Sequence, residues 1–151
     1  MGYITGTDRI EDGRGLVAID IENDGDLDLA IVNYLQRATL LVNQGTPGHH
    51  WVALKLAGAG PKRGGSNRSA LGARVTVSAG GRGFSKQVVS SGGYLSGLPT
   101  TLHFGLGTAA SIDGVEIRWP SGRIQHITGL PVDRKHRIEE PVSAPSTASI
   151  R

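Results

Sequence analysis

The sequence predicts an all-β protein, and three observations carry that expectation. Several short stretches alternate apolar and polar residues at period two. The other apolar runs are brief and rich in Val and Ile, as buried strands are. Glycine is abundant, at 23 of 151 residues, and falls in the breaks between these stretches without a Gly-X-Y period. No segment gives a persuasive helical period, so the expected architecture has strands and turns throughout.

Taken in order, the first strand runs over 16–21, the second over 27–33 and the third over 38–43. Gln44-Gly45-Thr46-Pro47-Gly48 then breaks the pattern and reads as a connection between two units. In the second unit, Val52, Leu54 and Leu56 share one face of a strand. Ala73, Val75, Val77 and Ala79 share a face of the next, with Arg74, Thr76 and Ser78 opposite. Val115, Ile117 and Trp119 lie opposite Glu116 and Arg118. Further strands are expected over 84–90, 101–104, 123–127 and 136–139. Seven strands punctuated by Gly-rich turns predict a small antiparallel β-sandwich or barrel. The segment 141–151, rich in Pro, Ser, Thr and Ala, is expected to be a disordered tail.

Charge divides the chain in the same place. Residues 1–46 hold eight acids and three bases, a net charge of −5, and residues 47–151 hold five acids and thirteen bases, a net charge of +8. No Asp or Glu occurs from Leu29 through Ile112. Two units with different roles are therefore expected, 1–46 and 47–140. There is no cysteine, which excludes disulfides and thiolate metal sites. No apolar run reaches the length of a membrane span, and MGYITGTDRIEDG at the start lacks the basic and apolar regions of a signal peptide.

The acid is concentrated between the first two strands. Asp20, Glu22, Asp24, Asp26 and Asp28 place five carboxylates in nine residues. At a separation of about 4 Å, each like-charged pair costs ~1 kcal/mol in water and ~4 kcal/mol at an effective dielectric of about 20. A bound cation offsets that repulsion. Ca²⁺ accepts oxygen ligands in flexible geometry, and alternating carboxylates with Gly25 at the bend suit it. The side chains of Asp20, Glu22, Asp24 and Asp28, with the backbone carbonyl of Asp26, are the expected ligands. Magnesium, which demands octahedral geometry and keeps its waters, fits less well. The loop is not an EF-hand, because position 12 counted from Asp20 is Ile31. The competing reading is a solvated acidic loop that holds nothing.

This strand–loop–strand unit resembles the FG-GAP repeat, the calcium-bearing blade of integrin-type β-propellers. The match lies at Asp20, Asp24, Gly25, Asp28 and the Leu-Asp-Leu of 27–29, and Glu22 departs from the usual Asp or Asn. A second resemblance covers about ninety residues. NRSALGARVTV (67–77), SGGYLS (91–96), LHFGLG (102–107), VEIRWPSGR (115–123) and RIEE (137–140) are similar to the ASPIC/UnbV domain. That domain follows FG-GAP propellers in cartilage acidic protein-like, secreted proteins. The resemblance implies a partial propeller blade, an ASPIC/UnbV-like β domain, an extracellular or envelope location, and intramolecular contact with further blades. The expected role is non-catalytic: calcium-binding recognition or adhesion toward a protein or carbohydrate partner.

Other residues carry groups capable of chemistry. Adjacent His49 and His50 point to opposite faces of a strand and chelate poorly together, while His103, His126 and His136 stand on separate strands. No G-x-S-x-G elbow, phosphate-binding glycine motif or aromatic-interleaved basic stretch is present, so hydrolase, nucleotide and nucleic-acid readings are not favoured. Lys62, Arg63 and Arg68 form a basic loop that could meet an acidic glycan. An accessory part of a secreted hydrolase and an acidic-glycan-binding module are the alternatives to the recognition reading.

Overall fold

The computed structural model describes residues 10–93 and 96–142, and it is all-β. Three strands make the first unit: β1 (Gly13–Ile19), β2 (Asp28–Asn33) and β3 (Thr39–Leu41). They form an antiparallel meander in the order β1-β2-β3, with Leu16 opposite Ile31 and Leu29 opposite Leu41.

The second unit contains β4 (His50–Ala57), a 3-10 turn at Pro61–Arg63, β5 (Arg74–Ala79), β6 (Arg82–Gln87), β7 (Ser91–Gly93), β8 (Ser96–Gly97), β9 (Thr101–Gly107), β10 (Gly114–Arg118), β11 (Ile124–Ile127) and β12 (Arg134–Glu139). All seven strands read from the sequence exist, within a few residues of their expected ends. The short β7-β8 pair was not foreseen, and Tyr94 and Leu95 between its strands lie outside the described residues, as does the tail from residue 143.

Two sheets supply the core, β11-β10-β5-β6 and β12-β4-β9. Among the described residues the strands form several small sheets, and none closes into a barrel. The strictly antiparallel expectation needs correction, because β12 runs parallel to β4, with Arg134 opposite Val52 and Ile138 opposite Leu56. Asp133 explains how the parallel pairing starts. Its carboxylate accepts from the Trp51 backbone N–H at 3.1 Å and from His50 Nδ1 at 2.7 Å, while its own N–H donates to the Trp51 carbonyl at 2.7 Å. The last strand is thereby pinned beside the first strand of the domain, in a register that alternation alone does not specify.

The predicted faces are the buried faces. Val52, Leu54 and Leu56 pack with Val75, Val77 and Ala79, with Val115, Ile117 and Trp119, and with Leu102, Phe104 and Ile138. Every residue of this cluster belongs to the second unit. Among the described residues the first unit buries no large hydrophobic side chain completely, and Leu16, Val32, Tyr34, Leu35, Leu40 and Val42 are exposed. Three strands offer too little apolar surface to close a core of their own.

Candidate functional site

The acidic loop connects β1 to β2, and Asp28 at its end is the residue that closes it. The Asp28 side chain is buried. Its Oδ2 accepts the Ile21 N–H at 3.0 Å, and its Oδ1 accepts the Asn43 N–H at 2.9 Å. One carboxylate thus ties the start of the loop to the chain leaving β3. Asp24 tightens the turn by accepting the Asp26 N–H at 3.0 Å, with Asn23 at φ 58° and Gly25 at φ 97°. The Asp26 carboxylate lies against Gly45, where a Cβ would overlap it.

Asp20 is the anomaly. Both its carboxylate oxygens are buried, and among the described residues neither has a hydrogen-bond partner. A buried polar group left unmade costs ~1–3 kcal/mol, and more when it is charged. Glu22 and Asp24 stand exposed around it in sequence. Among the described residues, no group of three or more His, Asp or Glu side chains is gathered in an arrangement that could hold a metal ion. The loop therefore supplies the right donor chemistry and one unsatisfied buried anion, without a preformed cage.

The loop is seated on the second unit. Gly25 is buried against the Trp51 indole, and a side chain at that position would overlap the ring. Trp51 in turn stacks on His103, with ring centroids 5.6 Å apart and planes 15° from parallel. His103 Nε2–H donates to the Gly25 carbonyl at 2.5 Å. A carbonyl can only accept, so this bond fixes the proton on Nε2. Burial lowers the His103 pKa from its ordinary 6.5; the adjacent Lys86 acts in the same direction, and the Gly25 bond, Asp20 and Asp26 oppose it. Two further contacts join the units: the Leu16 N–H donates to Ser96 Oγ at 3.1 Å, and Lys135 Nζ donates to Asn23 Oδ1 at 3.2 Å. A cavity of about 430 Å³ lies at this junction, lined in part by Ala18, Asp20, Leu27, Ala53, Leu98 and His103.

The histidines do not converge. His50 holds Asp133, His103 holds Gly25, His136 Nε2 donates to the Pro131 carbonyl at 2.8 Å, and His126 lies 4.0 Å from Glu116. Lys62, Arg63 and Arg68, by contrast, are brought together. They line one cavity of about 800 Å³, and Arg137 from the far end of the chain lines it with them.

With this geometry in place, the comparison with known families is decisive for the second unit. The family described as ASPIC and UnbV matches residues 63–145, more than half the chain. The chain belongs to the ASPIC/UnbV family. A comparison with curated proteins finds no match. The acidic loop lies outside the matched segment, and so does β4, although Val52, Leu54 and Leu56 of β4 sit inside the same core as the matched residues.

The ASPIC/UnbV domain also contains a buried polar centre that sequence reasoning missed. The Glu140 side chain is fully buried. Its Oε2 accepts the backbone N–H groups of Ala59 at 2.9 Å and Ser66 at 2.7 Å. Its Oε1 accepts Ser121 Oγ at 2.5 Å and Ser66 Oγ at 3.0 Å, with Arg123 at 3.4 Å. Burial alone would raise its pKa, but the hydrogen bonds from Ser121, Ala59 and Ser66 outweigh that and hold it at about 2. Glu140 thus fastens three loops of the domain to the end of the last strand. The closing Glu139-Glu140 pair was the available signal, but nothing in the sequence says which of the two turns inward. Trp51 and His103 carried no separable signal either, because their partnership crosses strands.

Proposed function

We propose that this chain is a non-catalytic calcium-binding recognition module, in which an FG-GAP-like blade is docked on the ASPIC/UnbV domain. The observation that carries the calcium reading is the buried, partnerless carboxylate of Asp20 at the head of the acidic loop. A hard cation that prefers oxygen answers that deficit, and Ca²⁺ tolerates the irregular loop better than Mg²⁺. Asp20, Glu22 and Asp24 would hold it through their side chains, with the Asp26 carbonyl. Asp28 would join through the lone pairs that its two backbone hydrogen bonds leave free. Because the carboxylates are not gathered beforehand, ion binding would draw the loop together. Gly25, resting on Trp51 and His103, would pass that ordering to the domain.

Calcium in this role is structural. It neutralises the loop and fixes its geometry, and no step of bond chemistry is assigned to it. The propeller reading is supported by the exposed apolar side chains of the meander, which a neighbouring blade would cover. An extracellular or envelope location follows from the same reading, since calcium there is abundant enough to occupy a loop of modest affinity.

The test is a thermal melt with millimolar calcium, with chelator, and with magnesium as control. A ligand that binds only the native state at a hundredfold excess over Kd stabilises it by about 2.7 kcal/mol. A calcium-specific rise in the midpoint is expected. No rise would overturn the ion assignment for this chain and leave the acidic loop as a solvated connection.

A further inference from the structure

The cavity of about 800 Å³ in the ASPIC/UnbV domain lies away from the hairpin junction and shares no lining residue with it. Its walls come from the chain after β4, the 3-10 turn, the loop before β5 and the end of β12. Four cations line it: Lys62, Arg63, Arg68 and Arg137. Lys62, Arg63 and Arg68 make no ion pair or side-chain hydrogen bond among the described residues, and they are exposed. Arg137 approaches Glu139 at 3.4 Å, an exposed pair that holds neither side chain firmly.

Two acids also line the cavity, and their state decides its sign. Glu140 is turned inward, with its oxygens committed to Ala59, Ser66, Ser121 and Arg123, so it offers no open acceptor. Glu139 is exposed and engages Arg137 alone. The open surface therefore presents unpaired cations and donors. The remaining walls are short, at Ala57, Gly58, Ala59, Gly60, Pro61 and Val142. Among the described residues no aromatic ring lines the cavity, which removes the platform that nucleobases stack on. Nothing there is large and apolar enough to anchor a hydrophobic side chain. The space falls in the range of pockets that enclose small ligands, and arginine forks match planar or tetrahedral anions bidentately.

We propose that this cavity is a binding site for an acidic saccharide, a compact hydrated ring system bearing carboxylate or sulfate groups, with Arg63, Arg68 and Arg137 as the anion-binding residues. An open cavity lined by four cations suits several anionic groups on one rigid unit. This deepens the recognition reading by naming a ligand class, and it rests on that reading only for the absence of catalysis. It does not depend on calcium in the acidic loop.

The test is titration calorimetry of the full chain with a heparin-derived hexasaccharide, run in calcium and again in chelator. Binding is expected in both, weakening about tenfold or more between about 0.05 M and about 0.3 M salt as exposed charges are screened. The double variant Arg63→Glu/Arg68→Glu is expected to weaken it at least about thirtyfold, and Arg137→Ala about tenfold, each without loss of the cooperative melt. Arg74→Glu/Arg82→Glu on the other sheet makes the same change in net charge and is expected to leave binding intact. Equal losses in both double variants would show attraction to overall charge alone and overturn the site. So would no binding by the unaltered chain, or binding of poly-glutamate as tight as the hexasaccharide, which would make the surface one for acidic peptide. A melt insensitive to calcium alongside intact saccharide binding would remove the calcium reading and leave this one standing.

Discussion

The Gly25 carbonyl accepts a 2.5 Å hydrogen bond from His103 Nε2, and through it an acidic loop is fastened to a basic domain. The backbone is bare at that point because it must be: Gly25 sits at φ 97° against the Trp51 ring. Gly25→Ala is expected to lift the loop off the domain, destabilising the protein by about 1–3 kcal/mol through backbone strain and overlap. The melting midpoint and the emission of Trp51 check this, with a red shift expected as the indole gains water.

Asp20 makes a prediction with two opposite signs. Asp20→Asn removes a buried charge that has no partner, so the calcium-free protein is expected to gain about 1 kcal/mol. The same change is expected to abolish most of the calcium-dependent rise in midpoint. Asp24→Ala, at an exposed position, is expected to weaken calcium without the gain in the apo state. Melts with calcium and with chelator separate the two variants. An apo gain in neither would mean that Asp20 is satisfied by solvent.

Acid is expected to act through Glu140. Its folded pKa of about 2 lies below the ordinary 4.5, so its contribution is complete above about pH 4.5 and is lost as pH falls toward 2. Glu140→Gln leaves the donors of Ser66, Ala59 and Arg123 short of a charged acceptor and is expected to cost about 3 kcal/mol. The variant should also show a flatter stability profile between pH 4.5 and 2 in denaturant titrations.

His103 acts at milder pH. Its pKa is depressed in the folded state, so its contribution is complete above 6.5 and declines as pH falls below that value, where the unfolded chain takes up the proton more readily. His103→Gln keeps an N–H donor near Gly25 and is expected to remove this slope. Its resonance in a proton NMR titration gives the depressed pKa directly.

Packing gives the last expectation. Leu54, on the central strand of the β12-β4-β9 sheet, is completely buried in the cluster shared with the other core sheet. Leu54→Ala is expected to cost about 2–5 kcal/mol in chemical denaturation, depending on how far the cavity collapses.

Much of this fold was legible because one physical rule governs it. A half-buried strand must alternate, and Val75/Val77/Ala79 and Val115/Ile117/Trp119 do so, while β4 buries Ala53 as well as Val52, Leu54 and Leu56. The parallel placement of β12 was not legible. It depends on Asp133 reaching Trp51 and His50, which lie more than eighty residues earlier in the chain. Of the candidate site, the sequence named the acidic loop and the basic loop, since charge density needs no coordinates to be seen. It could not separate Asp28, which accepts two backbone hydrogen bonds, from Asp20, which accepts none among the described residues.

The sequence by itself determined the all-β class, the inward faces of most strands, the change from acidic to basic charge near residue 46, and the ASPIC/UnbV family. These follow from periodicity, charge and local motif, which are properties of neighbouring residues. Only the tertiary structure decided that Gly25 meets Trp51 and His103, that Glu140 turns inward while Glu139 does not, and that Arg137 joins Arg63 and Arg68 around one cavity. Each of these pairs residues far apart in the chain, and their proximity is set by tertiary packing rather than by any local preference.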